Sequence, residues 1–557
     1  MPTHEAVAAA AAPAAASEVP AAPPAGLSSL DDAVLNLALG YLDSDSLVSC
    51  LAACRVLGSA AKNDDLWQEK CLEDWGEKRR VCPERRFELV PTFLGAWRGW
   101  RRAFNGYDAL DVKRVSVWWA GVEAWMSQHL PEVMDTLNTG VSEEELDRAA
   151  ELLGWPLPTH LRLLYRFHNG QQWLPWDERL NSSVGEDGGR PAVLPQVAGI
   201  GTSLGLLGGY CYYHNETTSK LFSLQRGVVA GLHTADVFGG EDRGYFEACA
   251  NRWGMNLAAV RERGGFLLAA GHNMSKRAWV GRDGNVRFDG KSTPLMGVFD
   301  AAPITASSPP EQASGIGAVD GAAGAGTGAD GGKQHHRGGN LMVWLEEYLR
   351  RLEAGHYGVR SRWQEAVRGP GDDEHRILNV RGVWLFPREG GEGCVKHVSQ
   401  GVEIQASPVF APEASADRTD LMWAYTVRMR LLADHPSRPP TMSSCQLSTR
   451  QWEIDGPNGF HRGSNEHSRE VSGDGVVGEH PTLRVAAPAA GGVAGIHPTG
   501  DDDPSFFECE SCTTLESTPG TMGGHFSFTP GDLDSPRGAP FNARVPTFDL
   551  VDPTFIF

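Results

Sequence analysis

From Leu27 to about Gly76 apolar residues recur at helical spacing. Leu35, Leu39 and Leu42 stand at i, i+4 and i+7, one face of a helix. Asp43-Ser44-Asp45 then breaks the pattern with three residues favoured at helix starts. Leu47, Leu51 and Cys54 open a second stripe, and Asp64-Asp65 can cap a third turn that carries Leu66, Trp67 and Cys71. Three helices in about 50 residues cannot bury all these leucine faces among themselves, so a partner surface is expected to cover them.

Lys78 to Arg114 is basic, with ten Lys or Arg against four acids, and Trp97, Trp100 and Phe104 are interleaved at i, i+3 and i+7. That pattern reads as an amphipathic helix with its aromatics buried and its arginines outside, in preference to a nucleic-acid contact. Ser142 and Glu145 form a capping box ahead of Leu146, Ala149, Ala150 and Leu153, and Gly154-Trp155-Pro156-Leu157-Pro158 ends that helix. Leu161, Leu164, Tyr165 and Phe167 mark another helix, expected to end at Asn169-Gly170. Phe266 to Ala270 and Ala278 to Val280 read as paired strands, joined to Val286 and Phe288 across Asp283-Gly284.

Ala301 to Gly339 is Gly, Ala, Ser and Pro with little else, the composition of a flexible linker. Leu341, Trp344, Leu345, Tyr348 and Leu352 restore one helical face. From about Gly382 onward the pattern alternates: Val402-Glu403-Ile404, Tyr425 to Leu431, Trp452-Glu453-Ile454 with a hairpin signal at Asp455-Gly456, His525 to Phe528, and Val545 to Leu550. Many short strands without a helical pattern predict a β-sandwich, and Ala486 to Asp503 reads as an insertion in it.

Composition narrows the function. The chain has 557 residues, enough for about three or four domains, with 41% hydrophobic residues and 17 Trp. Acids outnumber bases 70 to 50, a net charge of −20, which argues against nucleic acid or an anionic membrane as a main partner. No apolar run approaches the roughly 20 residues of a membrane span. The ten cysteines are scattered, which fits a reducing compartment and a cytoplasmic or nuclear location. Residues 1–26 are Ala- and Pro-rich and lack the basic start of a signal peptide, so they are expected to be a disordered arm.

Candidate chemistry is sparse. Gly473-x-Gly475-x-x-Gly478 matches a dinucleotide fingerprint in spacing, but Pro481 forbids the helix that would receive a pyrophosphate. A structural glycine loop is the better reading, with Gly473, Gly475 and Gly478 retained as an anion-binding candidate. Cys509 and Cys512 have C-x-x-C spacing without a second ligand pair. Cys211 and His214 lack a third orienting group, and His335-His336 lies in the linker. No catalytic, metal or cofactor constellation is found, so the chain is read as a non-enzyme.

Leu30, Leu35, Leu39, Tyr41-Leu42, Asp45 to Leu47, Cys54-Arg55-Val56 and Asp65-Leu66-Trp67 with Cys71 resemble an F-box, with Asp31 where that pattern has Pro and Ala38 where it has Ile. The capping helix, Leu153-Gly154 to Leu157-Pro158 and Tyr165 to Gly170 are similar to the SUKH (Smi/Knr) superfamily. Ala424 to Val427, Arg450-Gln451-Trp452, Gly473 to Glu479 and Thr518 to Gly524 resemble ApaG domains, in which this glycine motif is suspected of binding phosphate. The order looks like that of animal and plant F-box proteins with a C-terminal ApaG domain.

The resemblance implies a multidomain protein: arm 1–26, a small α-helical F-box at 27–76, a helical connector at 77–134, an α+β SUKH-like domain at 135–300, a linker at 301–339, a helix completing the SUKH region at 340–368, and an all-β immunoglobulin/fibronectin-like ApaG sandwich at 378–557. It implies the substrate-recognition subunit of an SCF (Skp–cullin–F-box) ubiquitin ligase. Leu30, Leu35, Leu39, Leu42, Leu47, Val56, Leu66 and Trp67 would bind the Skp adaptor and, through it, the cullin and RING subunits. The downstream domains would hold a protein target. The alternatives are an ApaG-type nucleotide- or metal-binding protein tethered by an F-box, and a scaffold acting outside the ligase.

Overall fold

The structure is a computed structural model, and it describes residues 30–85, 87–172, 205–212, 215–232, 265–271, 276–290, 299–300, 341–368, 375–415, 421–457, 468–476, 479–485 and 506–557. The arm at 1–26, the linker at 301–339, the insertion at 486–503, His214, His335-His336 and Gly478 lie outside the described residues. The chain divides into two compact units between Gly106 and Tyr107.

The first unit is helical. It contains α1 (Asp32–Gly40), α2 (Ser44–Ala53), α3 (Arg55–Ala60), α4 (Asp64–Trp75) and α5 (Phe93–Ala103), with a small ladder of β1 (Val81–Cys82) and β2 (Glu88–Leu89) before α5. Asp31, standing where the F-box pattern has Pro, caps α1 by accepting from the Ala33 amide at 3.1 Å. Asp43 caps α2 through the Ser46 amide at 2.7 Å. That bond and the neighbouring Ser46 hydroxyl hold its carboxyl below the usual range. Asn63, rather than Asp64 or Asp65, caps α4, while the Asp64 carboxylate accepts from the Phe93 amide of α5.

The predicted basic segment supplies half of this core. Trp97, Trp100 and Phe104 are all buried, and Trp100 stacks on Trp75 at 6.1 Å and meets Phe104 at 5.4 Å. Gly99 admits close packing here, since a Cβ would sit 2.3 Å from the Cys82 sulfur. The connector expected at 77–134 is therefore divided: its first part completes the helical unit through Gly106, because α4 needs α5 to cover its aromatic face.

In the second unit, α6 (Ala109–His129) is the central helix of the middle region. Its Trp118 indole donates to the Leu345 carbonyl at 2.7 Å, and its Trp119 indole donates to the Leu164 carbonyl at 3.3 Å. After α7 (Pro131–Met134) and β3 (Leu137–Thr139), the predicted capping box appears at α8 (Glu143–Leu153), which ends on left-handed Gly154 at φ 73°. The next helix, α9 (Thr159–Phe167), stops before Asn169-Gly170. Those two residues lie in β4 (His168–Gln171), because Gly170 passes against Phe222, leaving no room for a Cβ.

The middle region continues with β5 (Gly209–Tyr212), β6 (Asn215–Thr218), β7 (Lys220–Leu221), α10 (Leu224–Leu232), β8 (Gly265–Ala270), β9 (Lys276–Gly281), β10 (Val286–Gly290) and β11 (Phe299–Asp300). Strands β7 to β11 form one antiparallel sheet, with the predicted tight turn at Gly284, φ 73°. Helix α11 (Leu341–Glu353) buries the five residues expected on its inner face.

The expected helical region at 340–368 ends early, and β12 (Gly358–Arg368) follows. It pairs with β13 (His375–Trp384), which runs parallel to β5, so a boundary at 378 cuts a strand of the middle sheet.

The C-terminal region is built of two antiparallel sheets. One holds β14 (Val395–Ser399), β15 (Val402–Phe410), β16 (Leu421–Leu431) and, later in the chain, β20 (Phe507–Leu515). The other holds β17 (Ser444–Asp455), β18 (Ser468–Asp474), β19 (Thr482–Arg484), β21 (Gly520–Asp532), β22 (Ser535–Pro536) and β23 (Phe541–Leu550). Tyr425 of β16 meets Trp452 of β17 at 5.4 Å, and Trp452 meets Phe526 of β21 at the same distance, so these aromatics bridge the sheets as core. Asp455-Gly456 does not make a tight hairpin: Asp455 pairs with Ser468 across the longer connection 456–467.

Candidate functional site

Helix α1 is apolar on both sides. Leu35 and Leu39 face inward at 3% exposure each, while Leu30, Val34, Leu37 and Tyr41 remain 43%, 52%, 64% and 84% exposed. Val34 and Leu37 stand at i and i+3 on the helix, with exposed Leu30 just before its N-cap and Tyr41 at its C-cap. An amphipathic surface helix shows one apolar face, and here a second set of apolar side chains is left exposed.

The expected adaptor-binding residues are placed as follows. Leu35, Leu39, Leu47, Leu66 and Trp67 are buried within the unit, where α1 packs on α3 and α4 and α5 packs on α4, and the Trp67 indole donates to the Ala61 carbonyl at 2.6 Å. Of the eight residues, Leu30 is exposed, and Leu42 and Val56 are half-buried. The alternation of Leu30, Val34, Leu37 and Tyr41 along α1 was the sequence signal for the outer stripe. The leucine-rich inner face has the same period, so spacing alone does not distinguish the two faces.

A cleft of about 650 Å³ lies between α2 and α5, lined by Asp45, Val48, Trp97, Arg98, Arg101 and Arg102 among others. Its charges are largely paired: Arg101 bonds Asp45, and Arg102 holds Glu84 with two nitrogens, at 2.7 to 3.1 Å. The Cys71 thiol on α4 is pushed up to about 12 by burial, with Asp74 adding to the shift, which disfavours the nucleophilic thiolate.

In the second unit, the described part of the glycine loop bonds to itself and to β17. The Gly475 amide donates to the Ser448 carbonyl at 2.9 Å, the Val476 and Glu479 amides donate to each other's carbonyls at 2.8 Å, and the Arg450 guanidinium donates to the Gly475 carbonyl at 2.7 Å. Gly475 has φ 59°, and a Cβ there would meet the Glu479 carbonyl at 2.3 Å, so this glycine serves the turn. Of the anion-binding candidate, the Gly475 amide is thus occupied.

Cys509 and Cys512 sit three apart on β20, where side chains alternate, so they point to opposite faces of the sheet. Burial raises both thiols, Cys512 to about 11. Among the described residues no group of three or more His, Cys, Asp or Glu can hold a metal, and no helix is long and apolar enough to cross a membrane.

The ApaG domain family model matches residues 412–488. Three relatives extend the comparison. "F-box protein SKIP16" of Arabidopsis thaliana is 28% identical over 96% of this chain and 100% of its own length. "F-box only protein 3" of Homo sapiens is 23% identical over 96% of this chain and 84% of its own. "Protein ApaG" of Bradyrhizobium diazoefficiens is 31% identical over 28% of this chain and 92% of its own.

Proposed function

The chain belongs to the ApaG family through its C-terminal region and is homologous along its length to F-box proteins, and from that premise we propose that it is a substrate receptor of an SCF-type ubiquitin ligase. In this reading the helical unit is an F-box that docks on a Skp adaptor, which brings the cullin and RING subunits. The middle region, read as SUKH-like, and the C-terminal immunoglobulin/fibronectin-like sandwich recruit a protein target. The chain supplies proximity, raising the target's effective concentration at the ubiquitin-transfer machinery, and no covalent chemistry of its own.

The observation that carries the reading is the uncovered stripe of Leu30, Val34, Leu37 and Tyr41. A leucine-sized side chain moved from water into an interface is worth roughly 2 kcal/mol, and such residues dominate binding when they lie centrally. Affinity capture of the full chain under proteasome inhibition tests it. Adaptor and cullin are expected to co-purify from the cytoplasm, the nucleus or both; capture of neither defeats the proposal, and capture of the adaptor without cullin identifies a scaffold instead.

A further inference from the structure

On β16, Tyr425, Val427 and Met429 are buried on the side of the core between the two sheets, so the alternate residues Thr426, Arg428 and Arg430 point away from it. Opposite them on β15 stand Ser407, Gln405 and Glu403, and on β20 Glu510 faces Thr426 and Glu508 faces Arg428. This outer face is polar, yet Glu403, Gln405, Ser407 and Thr426 are buried. Trp384, Phe386 and Arg388, from the end of β13 and the segment after it, lie over the face. A cavity of about 10 Å³, the room of one water-sized sphere, remains between Arg388, Cys394, Gln405, Ser407, Thr426 and Arg428.

The Arg388 side chain is seated by its surroundings. Its amide donates to the His356 carbonyl at 2.9 Å, and its own carbonyl accepts from the Gly391 amide at 2.7 Å. Its guanidinium lies against Gly358, where a Cβ would stand 1.9 Å from Arg388 Cζ. Burial, then the like charge of Arg428, holds this guanidinium down at about 10, with Glu508 opposing.

The charges on this face are distributed unevenly. Arg360 pairs with Glu510, while Arg430 and Lys396 share Glu403 at 3.0 and 3.5 Å, and Lys396 also meets exposed Glu389 at 2.9 Å. Glu508 faces both Arg388 and Arg428, so two guanidiniums share one carboxylate among the described residues. Like charges gathered away from water favour an anion joining them. The neutral side chains differ in the same way. Gln405 donates to Glu403 at 2.6 Å and Thr426 to Glu508 at 3.0 Å, whereas the Ser407 hydroxyl, at 2% exposure, makes no hydrogen bond among the described residues.

Two forked cations and a hydroxyl supply more donors than the two oxygens of a carboxylate use, and their charge suits a dianion. We propose that this pocket is a phosphoryl-binding site, in which one oxygen enters between Arg388 and Arg428 and accepts from the Ser407 hydroxyl. The group is free phosphate or the phosphate ester of a partner's side chain. The site lies on the opposite sheet from the Gly475 loop and is independent of adaptor docking.

Cys394 borders the cavity and reports on it. The test is alkylation of the full chain with iodoacetamide, followed at Cys394 by peptide mass spectrometry, with exposed Cys54 as the internal reference. Inorganic phosphate, methyl phosphate and acetate are compared at equal pH and ionic strength. A site with a Kd of about 1 mM slows alkylation of Cys394 about tenfold at about 10 mM phosphate and leaves Cys54 unchanged.

Arg388→Gln and Arg428→Gln are each expected to abolish the slowing. Slowing by phosphate and methyl phosphate supports the proposal with an esterified side chain as the source, and slowing by phosphate alone supports it with the free ion. No slowing by either overturns it, as does equal slowing by acetate or undiminished slowing in the folded arginine variants. Should those variants fail to fold, the wild-type comparison of the three anions decides, because its readout is local to the cavity.

Discussion

Trp67 on α4 and Trp97 on α5 meet with ring centroids 5.0 Å apart and planes tilted 53°. Each indole is also satisfied, Trp67 by the Ala61 carbonyl and Trp97 by the Asp74 carboxylate at 2.7 Å. The pair joins the leucine-rich helices to a segment whose charge pattern alone suggests a surface. Trp97→Ala is expected to cost about 3–5 kcal/mol, the range for emptying a large aromatic site. Chemical denaturation of the full chain, followed by a probe in residues 30–106, should show the helical unit unfolding at much lower denaturant.

The same packing separates folding effects from binding effects. Leu47 is wholly buried, so Leu47→Ala should destabilise the unit by about 2–5 kcal/mol. Loss of partner binding in that variant would therefore report unfolding. Melting curves of Leu47→Ala beside an outer-face variant should show the first transition falling only for the former.

Lys276 carries a pH signature. Burial pulls its ammonium down to about 8 from an ordinary value of 10.5, although Glu413 opposes the shift. Between those values the unfolded chain holds a proton that the folded chain has released, so this residue's contribution to stability rises with pH across that window. Conversely it is lost as pH falls through about 8. Denaturant midpoints from pH 8 to 10 should climb more steeply in the wild type than in Lys276→Met, and parallel curves would show that the ammonium is not desolvated.

The glycine loop gives a negative prediction. The Gly475, Val476 and Glu479 amides and the Arg450 guanidinium already bond to protein carbonyls. Titration of the full chain with inorganic phosphate should release no heat attributable to this loop. Gly475→Ala should lower stability by more than about 1 kcal/mol, because a Cβ meets the Glu479 carbonyl at a left-handed backbone position.

Local signals were legible in the sequence. The Ser142–Glu145 capping box, the Gly154 stop, the Asp283-Gly284 turn and the inner face of α11 depend on residues within a few positions of one another, and each stands where the pattern put it. What was not legible is non-local. Whether Leu35 or Leu37 faces water depends on α3 and α4, against which α1 packs, and α1 offers apolar residues on both sides. Gly170 reads as a helix stop, yet its left-handed backbone is used for contact with Phe222, a neighbour that only the tertiary fold reveals. The boundary near 378 was equally hidden, since β13 pairs with strands on both sides of the linker.

The most direct measurement is the affinity between the full chain and a purified Skp-type adaptor, for the wild type and for Leu37→Asp combined with Tyr41→Asp. Both residues are exposed, so the variant should keep the wild-type melting curve. If the outer stripe of α1 is the docking surface, the double variant binds at least about a hundredfold more weakly. A folded double variant that binds the adaptor as tightly as the wild type would contradict it.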